Sequence, residues 1–272
     1  MLFVRQGAGW PYYARPRIGA ETPSAADITA VRRRQRDLGV PEAFEWVHET
    51  TPDLLAVARS AGLDVLLAPL LVLEPAALVP DLPVSGAAIR LLDPASPAFG
   101  RDLAVSRSVA HLGFGTPATA TTVAEAAQGA LITSVAGPAE RAGPAERAGP
   151  AERDAAVVEI GEQELRRYRD RAAGGGYLTA VVESPTDGML ATGMLQRVGD
   201  VAEIAGVATL PSARKRGYAS QLTATLARAA RSGGTHLVFL SAGNDDVARL
   251  YSRVGFRRIG TACIAEPAAA TI

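Results

Sequence analysis

The chain has 272 residues, of which 48% are hydrophobic and 5% aromatic, and its 28 basic residues balance 28 acidic ones. This length suits one large or two modest domains. The zero net charge excludes a global attraction to nucleic acid or to an anionic membrane. The single cysteine, Cys263, excludes a disulfide framework and argues against a cysteine-based metal site, so no metal is predicted and Cys263 is expected in the core.

The longest apolar run covers residues 65–73 and contains a proline. It falls well short of the ~20 residues that a helix needs to cross a bilayer. The first residues also lack the basic-then-apolar layout of a signal peptide. A soluble, cytoplasmic protein without nucleic-acid or membrane partners is therefore expected.

The N-terminal third alternates helical and extended patterns. We predict helices over residues 28–38 and 52–61, the second ending at Gly62, and strands over residues 44–47 and 65–73. Residues 88–92 then predict a strand, and residues 99–112 predict a helix.

Residues 137–153 read GPAERAGPAERAGPAER, three copies of one short repeat. A proline every six residues opposes a regular helix, and the segment has no large apolar residue to bury. The repeat predicts a flexible, solvated loop, with a flap over the substrate site as the alternative.

The remaining sequence predicts an antiparallel meander followed by alternating helices and strands. A helix over residues 160–173 precedes three strands, at residues 177–183, 189–198 and 201–210. Next come a helix (220–231), a strand (236–241) that reads as buried on both faces, a helix (244–253) and a last strand (257–264).

The most informative segment lies where the third meander strand ends, at Arg214-Lys215-Arg216-Gly217-Tyr218-Ala219-Ser220. The first N–H groups of a helix have no intrahelical partners, and the helix dipole makes that end positive. Gly217 permits a close approach of the backbone, and three basic side chains add charge. A diphosphate is the expected ligand of this turn. The alternative is that the segment is a solvated basic loop. The position after a meander strand weighs against a dinucleotide-binding fold, and G-K-[ST] is absent.

These residues resemble the acyl-CoA signature Q/R-x-x-G-x-G/A of the GNAT superfamily of acetyltransferases. A second stretch, Ala248-Arg249-Leu250-Tyr251 followed by Gly255-Phe256, resembles the family's A-x-x-L-Y-x-x-x-G-F helix with one residue fewer after the alanine. The resemblance covers about residues 87–267. It implies an α/β (α+β) fold with a mixed central sheet, an antiparallel meander and a V-shaped opening between the family's strands 4 and 5.

The resemblance also implies which residues bind acetyl-CoA. The main chain of Val207, Ala208 and Thr209 would pair with the pantetheine arm, the turn before the helix would hold the diphosphate, and Asn244 would contact the arm. The implied cofactor-binding set is Val207, Ala208, Thr209, Arg214, Lys215, Arg216, Gly217, Tyr218, Ala219, Ser220 and Asn244.

Two catalytic roles follow from the resemblance and from the chemistry of amine acetylation. Tyr251 would protonate the departing thiolate, and a carboxylate would accept the proton of the amine. Glu203 is the first candidate for that base and Glu183 the second; for each, a solvent-facing strand carboxylate is the alternative. His111 is expected to be a core or helix-end residue.

The resemblance thus implies an acetyltransferase domain at residues 83–272, preceded by a degenerate partial copy at residues 1–82. Aligning Gly62 with Gly255 pairs Ala58 with Tyr251, so the copy would lack the catalytic tyrosine; chance similarity is the alternative. The expected activity is acetyl transfer from acetyl-CoA to a small-molecule amine. A protein acetyltransferase and a non-catalytic acyl-CoA-binding protein are the alternatives, and a homodimer is left open.

Overall fold

The computed structural model describes residues 1, 13–80, 83–115 and 148–268. In chain order the helices and strands are α1 (Ala25–Asp37), β1 (Phe44–Val47), α2 (Leu54–Ser60), β2 (Leu63–Leu73), β3 (Ala88–Leu91), α3 (Phe99–Phe114), α4 (Pro150–Ala155), α5 (Glu162–Ala173), β4 (Tyr177–Ser184), β5 (Gly188–Val198), β6 (Val201–Thr209), α6 (Tyr218–Ser232), β7 (Leu237–Ser241), α7 (Asp245–Val254) and β8 (Phe256–Pro267). Each predicted helix and strand is present, with ends shifted by a few residues.

The chain divides into two compact units. The small unit comprises residues 1–70 and 258–272, and the large unit comprises residues 71–257. In this division the C-terminal strand groups with the N-terminal residues, and the domain boundary predicted after residue 82 stays a prediction. No sequence pattern predicts that the C-terminal strand belongs to the small unit, since this depends on strand pairing between distant segments.

In the small unit, β1 pairs antiparallel with β8, from Phe44 opposite Ala265 to Val47 opposite Ala262. Helix α1 begins with a capping box, in which the Asp27 N–H donates to Ser24 Oγ and the Ser24 N–H donates to the Asp27 carboxylate. A core made of residues from both segments closes the unit: Ala14, Ile28, Phe44, Trp46, Leu54, Ala58, Leu63, Cys263 and Ala265. Burial raises the pKa of the Cys263 thiol to about 11, which keeps it protonated as the predicted core residue.

Within the described residues of the large unit, the strands β3 to β7 lie in the spatial order β7-β6-β5-β4-β3. Strands β3 to β6 pair antiparallel, and β6 pairs parallel with β7, so the meander and the mixed sheet are confirmed. Helix α3 lies on one face, where a Cβ on Gly113 would stand 2.8 Å from the Cβ of Ala208. Helix α6 lies on the other face, where a Cβ on Gly193 would stand 2.4 Å from Leu222.

Strands β6 and β7 separate after a short stretch of pairing. Their register runs from Val201 opposite Leu237 to Glu203 opposite Phe239, while β6 itself continues to Thr209. A β-bulge follows on β6, where Gly206 and Val207 together oppose Gly193 of β5 and Gly206 has a φ of +62°. The bulge turns the end of β6 away from β7 and leaves its edge available, which is the opening that the sequence predicted.

Two expectations need correction. The end of the repeat, predicted as a solvated loop, contains α4, because Pro150 stands in the first turn, where a missing N–H costs nothing. Arg153 within it is buried, at 6% exposure, and its Nη1 donates to the carbonyl oxygens of Asp187 and Met189 at 2.6 Å. Residues 137–147 lie outside the described residues. Strand β7, predicted as buried on both faces, alternates instead, with Leu237 exposed.

Gly255 offers a test of packing in the large unit. It ends α7 with a φ of +118°, and a Cβ there would stand 2.6 Å from the carbonyl oxygen of Ala77. Backbone atoms cannot move aside as a side-chain tip can, so Gly255→Ala should lower the free energy of unfolding by about 3 kcal/mol. Denaturant unfolding measures the loss. Gly199→Ala is the control, since Gly199 has a φ of +63° but open space around its Cβ position; an equal loss in both variants would contradict the packing argument.

Candidate functional site

The turn before α6 has the backbone shape of an anion-binding nest. Lys215 has a φ of +64° and Gly217 a φ of +78°, and Lys215 is the one non-glycine residue with positive φ in the described part of the chain. Alternating right- and left-handed residues point successive N–H groups toward one concavity. A strained lysine conformation retained at this point is typical of a functional turn.

One cavity of about 330 Å³ brings together most of the predicted cofactor-binding residues. It is lined by the end of β6, by the turn and first residues of α6, by the end of α3 and by one side of α7. The lining residues are Gly113, Phe114, Val207, Ala208, Thr209, Ala213, Arg214, Lys215, Arg216, Gly217, Tyr218, Ala219, Ser220, Val247, Leu250 and Tyr251. The unpaired strand edge, the nest and Tyr251 therefore share one space.

The shape of the turn fits a diphosphate. A Cβ on Gly217 would meet no atom within 4 Å, so this position faces open space that a ligand oxygen can enter. Two of the three basic side chains bind the backbone: Arg214 Nη2 donates to the carbonyl oxygen of Gly113 at 2.7 Å, and Arg216 Nη2 donates to that of Ser212 at 3.4 Å. Arg214 thus ties the turn to the end of α3, while the backbone of residues 215–220 presents the N–H groups.

Tyr251 lies on α7 and is 7% exposed. Its ring packs edge-to-face on Phe256, with the ring centroids 6.4 Å apart. Burial raises the pKa of its phenol, so the hydroxyl stays protonated at neutral pH. A buried phenol on a cavity wall can give a proton to a base that forms beside it.

Asn244 takes a structural position at the start of α7. Its side-chain oxygen accepts a hydrogen bond from the Val247 N–H at 2.9 Å, which makes it the N-cap of the helix. Val247 and Leu250, rather than Asn244, line the cavity. Its contact with the CoA arm stays a prediction.

The two candidate bases lie in different surroundings. Glu203 is half-buried on β6 opposite Gln196 of β5, on the sheet face that α3 covers. Glu183 instead accepts from Arg90 Nε at 2.7 Å, and it lines a separate surface groove beside Ser184 and Pro185. Glu203 is therefore the candidate on the strand that carries the bulge.

A second cavity, which the sequence did not reveal, lies on the same face as Glu203. It is lined by α3, α5 and the meander, and the polar members are Ser106, Arg107, Tyr168, Tyr177, Thr179 and Thr192. Its wall also includes Gly206, the bulge residue next to Val207. The sequence did contain one indication of this cavity: the charged residue Arg107 lies one helical turn from Leu103, on the apolar side of a predicted helix.

His111 is buried, at 2% exposure, and neither ring nitrogen has a hydrogen-bond partner among the described residues. Burial lowers its pKa and keeps it neutral at pH 7, in accord with a core histidine. Within the described ranges, no cluster of three or more His, Cys, Asp or Glu side chains could hold a metal ion. No helix in those ranges is long and apolar enough to span a membrane.

Comparison with known proteins gives one family match. Residues 181–265, from β4 to β8, match the FR47-like protein family. No curated protein matches the chain. The matched segment includes the bulge, the turn and Tyr251.

Solved structures resemble most of the chain. A GCN5-related N-acetyltransferase from Kribbella flavida is 21% identical, with 90% of this chain and 76% of that chain covered and a TM-score of 0.57. One from Sphaerobacter thermophilus is 15% identical, with 88% and 66% covered and a TM-score of 0.52. A tandem GNAT protein from the clavulanic acid biosynthesis pathway is 13% identical, with 90% and 70% covered and a TM-score of 0.51. At these identities the matches establish the fold, and they confirm the fold predicted from the sequence.

Proposed function

We propose that this chain, a GNAT-fold protein with an FR47-like C-terminal segment, is an N-acetyltransferase that moves an acetyl group from acetyl-CoA to the amine of a small molecule. The observation that carries the proposal is the shared cavity of the nest, the free edge of β6 and Tyr251. The nest and the strand edge would be enough to bind acetyl-CoA. The protonated, buried phenol on the same wall adds the proton donor that the departing thiolate needs. The names of the structural relatives support the same activity.

Each part of the cavity has a distinct task in this proposal. The N–H groups of residues 215–220 hold the diphosphate, and the main chain of Val207, Ala208 and Thr209 binds the pantetheine arm as a neighbouring strand would. Acetyl-CoA, when bound, supplies an activated acetyl thioester. The chain needs no covalent intermediate, because holding the two reactants together contributes much of the rate.

The proton balance assigns the remaining groups. An amine attacks only in its neutral form, so Glu203, directly or through a water, takes one proton from the acceptor. The Val207 N–H, on the bulge, stabilises the oxygen that becomes negative during the attack. The Tyr251 hydroxyl gives its proton to the thiolate sulfur. The new bond is an amide C–N bond, and the bond that breaks is the thioester C–S bond.

The direct test combines binding with product detection. Calorimetry with CoA measures the affinity and the number of binding sites. A thiol reagent detects CoA release when acetyl-CoA and a panel of amines are mixed with the protein. The buried Cys263 contributes little background to that assay. CoA binding without release on any amine would favour the non-catalytic alternative over the enzyme.

Glu203→Gln tests the base. If Glu203 accepts the proton, kcat should fall by about 100-fold, at the lower end of general-base effects, because water replaces the carboxylate only in part. Steady-state CoA release measures it. Glu183→Gln, on β4 of the same sheet, is the comparison variant, and it should leave kcat within about twofold. A larger fall in kcat for Glu183→Gln than for Glu203→Gln would identify Glu183 as the base.

We also propose that the small unit descends from a partial copy of the same fold. Both α2 and α7 end at a left-handed glycine, Gly62 with a φ of +76° and Gly255 with a φ of +118°, and a strand follows each. Ala58 stands where α7 has Tyr251. Calorimetry should therefore give one CoA site per chain; two sites would contradict a degenerate copy.

A further inference from the structure

We infer that Arg153, in the last copy of the repeat, is a positioning residue that stabilises the cofactor turn, which we define as residues 211–217. Arg153 acts through α4, whose first residues contact Ser212 of that turn. In its effect on CoA the inference rests on the proposed function. In its effect on the order of the turn it is independent of that function.

The cofactor turn needs support from neighbouring elements. Residues 214–217 are exposed, and Lys215 has a φ of +64°, a conformation that a lysine adopts only at a cost. Within the turn, the bond from Arg216 Nη2 to the carbonyl oxygen of Ser212 is long, at 3.4 Å. A strained backbone of this kind persists where the surrounding structure holds it in place.

The end of α3 and the start of α4 both bind the cofactor turn. On α3, the carbonyl oxygen of Gly113 accepts from Arg214 Nη2 at 2.7 Å. Just before α4, the carbonyl oxygen of Ala148 accepts from the Ser212 N–H at 3.2 Å. A Cβ on Gly149 would stand 3.1 Å from Ser212 Oγ, so these two segments are in direct contact. A displacement of α4 would therefore be felt by the turn.

Arg153 fixes α4 to the turn between β4 and β5. It is 6% exposed, and its Nη1 donates to the carbonyl oxygens of Asp187 and Met189, each at 2.6 Å. A Cβ on Gly188 would stand 3.2 Å from both terminal nitrogens of the guanidinium. A buried cation is tolerated where polar groups surround it in this way. The position of the guanidinium therefore determines where α4 lies.

The elements that Arg153 joins also flank the cofactor turn. The carbonyl oxygen of Arg153 accepts from the hydroxyl of Ser108, a buried residue of α3. At the start of β5, the carbonyl oxygen of Leu190 accepts from the N–H of Leu210, the residue before the turn, at 2.9 Å. Arg153 thus connects α4 with α3 and with the start of β5, the two elements between which the turn begins.

The sequence distinguishes Arg153 from the equivalent arginines of the repeat. Arg153 precedes Asp154, whereas Arg141 and Arg147 each precede an alanine. The Asp154 carboxylate accepts from Arg153 Nε at 2.8 Å, and this bond holds the pKa of that carboxyl below its usual range. The last copy therefore has a partner for its arginine that the earlier copies lack. Arg147, which lies outside the described residues, offers a matched control.

Arg153→Met tests the inference, because methionine keeps an apolar stem and removes the charge and the donors. In the ligand-free protein, we expect at least about tenfold faster hydrogen exchange at the amides of Ser212, Ala213 and Arg214, which all donate hydrogen bonds in the structure. The Kd for CoA should rise about 10-fold, because CoA then binds only the fraction of molecules whose turn is ordered. At saturating acetyl-CoA, kcat should stay within about threefold, because the bound ligand restores the turn.

Arg147→Met should change neither the exchange of these amides nor the Kd for CoA. Equal effects of Arg147→Met and Arg153→Met would overturn the inference, as would unchanged exchange at Ser212 in Arg153→Met. Faster exchange throughout residues 148–257 with an unchanged Kd would also overturn it, since that pattern indicates a general loss of stability.

If Arg153→Met does not fold, Gly149→Val decides. Its side chain would press on Ser212 and leave the guanidinium of Arg153 in place. Gly143→Val is its control, because Gly143 holds the same place in the preceding copy of the repeat. The Kd for CoA should be at least about fivefold higher in Gly149→Val than in Gly143→Val. Equal Kd values would reject α4 as a support of the turn.

The exchange measurement separates this inference from the proposed function. Faster exchange at Ser212 in Arg153→Met, in a protein whose wild type binds no CoA, would keep the role of Arg153 and reject the acetyltransferase. Acetyl transfer by the wild type, with exchange and Kd both unchanged in Arg153→Met, would keep the acetyltransferase and reject the role of Arg153.

Discussion

Tyr251→Phe should lower kcat for acetyl transfer by about 1,000-fold, within the range expected for the loss of a positioned general acid. The Kd for acetyl-CoA should stay within about twofold, because the nest and the β6 edge are untouched. The expected pattern follows from the position of Tyr251 on the wall that the strand edge and the nest share. Removing only the hydroxyl keeps the ring that packs on Phe256.

The pH dependence adds a second check on Tyr251. Since burial raises its pKa above the ordinary value of about 10, the hydroxyl remains a proton donor across neutral and mildly alkaline pH. Ionisation of Tyr251 should therefore cause no decline of the wild-type kcat below about pH 9. The pH profiles of the wild type and of Tyr251→Phe should accordingly have the same shape below that pH. Unchanged kcat in the variant, measured by CoA release, would take Tyr251 out of the mechanism.

A control on the same helix distinguishes loss of the hydroxyl from a general disturbance of α7. Ser252 Oγ donates to the carbonyl oxygen of Ala248 within the helix, and Ser252 does not line the cofactor cavity. Ser252→Ala should leave kcat and Kd unchanged. A comparable fall in kcat would mean that activity depends on the order of α7 rather than on the phenol.

Local sequence patterns predicted those parts of the site that depend on neighbouring residues. Gly217 and the basic residues before it predict a left-handed, positively charged turn at the start of α6, because the backbone geometry and the charge are encoded within one turn. Gly255 likewise predicts the end of α7, because glycine commonly follows the last residue of a helix. Tyr251 could be placed because it lies in a short helix with a recognisable motif.

Other parts of the site depend on partners far away in the chain. Gly206 within the predicted strand is compatible with a bulge, but the residue of β5 that it opposes depends on the register of β5 against β6, which β6 alone does not specify. Arg107 reads as an ordinary helix residue until α5 brings Glu164 and Tyr168 beside it. Asn244 caps α7 through its own side chain, while its predicted contact with the CoA arm stays a prediction.

Gly217→Glu should raise the Kd for CoA by at least about 100-fold and abolish acetyl transfer at ordinary substrate concentrations. The new side chain would occupy the open space in front of the turn, where no atom lies within 4 Å of the Cβ position. It would also place a carboxylate near the diphosphate, and two like charges about 4 Å apart repel by roughly 4 kcal/mol in partly solvated surroundings. Calorimetry with CoA measures the loss.

The matched control is Gly199→Glu, in the turn between β5 and β6. Gly199 has a φ of +63° and equally open surroundings, so the substitution brings the same backbone strain and the same charge at a position outside the cofactor cavity. It should lower stability as much as Gly217→Glu does and leave the Kd for CoA within about twofold. Equal loss of binding in both variants would assign the effect to instability, whereas full binding by a folded Gly217→Glu protein would show that the nest does not hold the diphosphate.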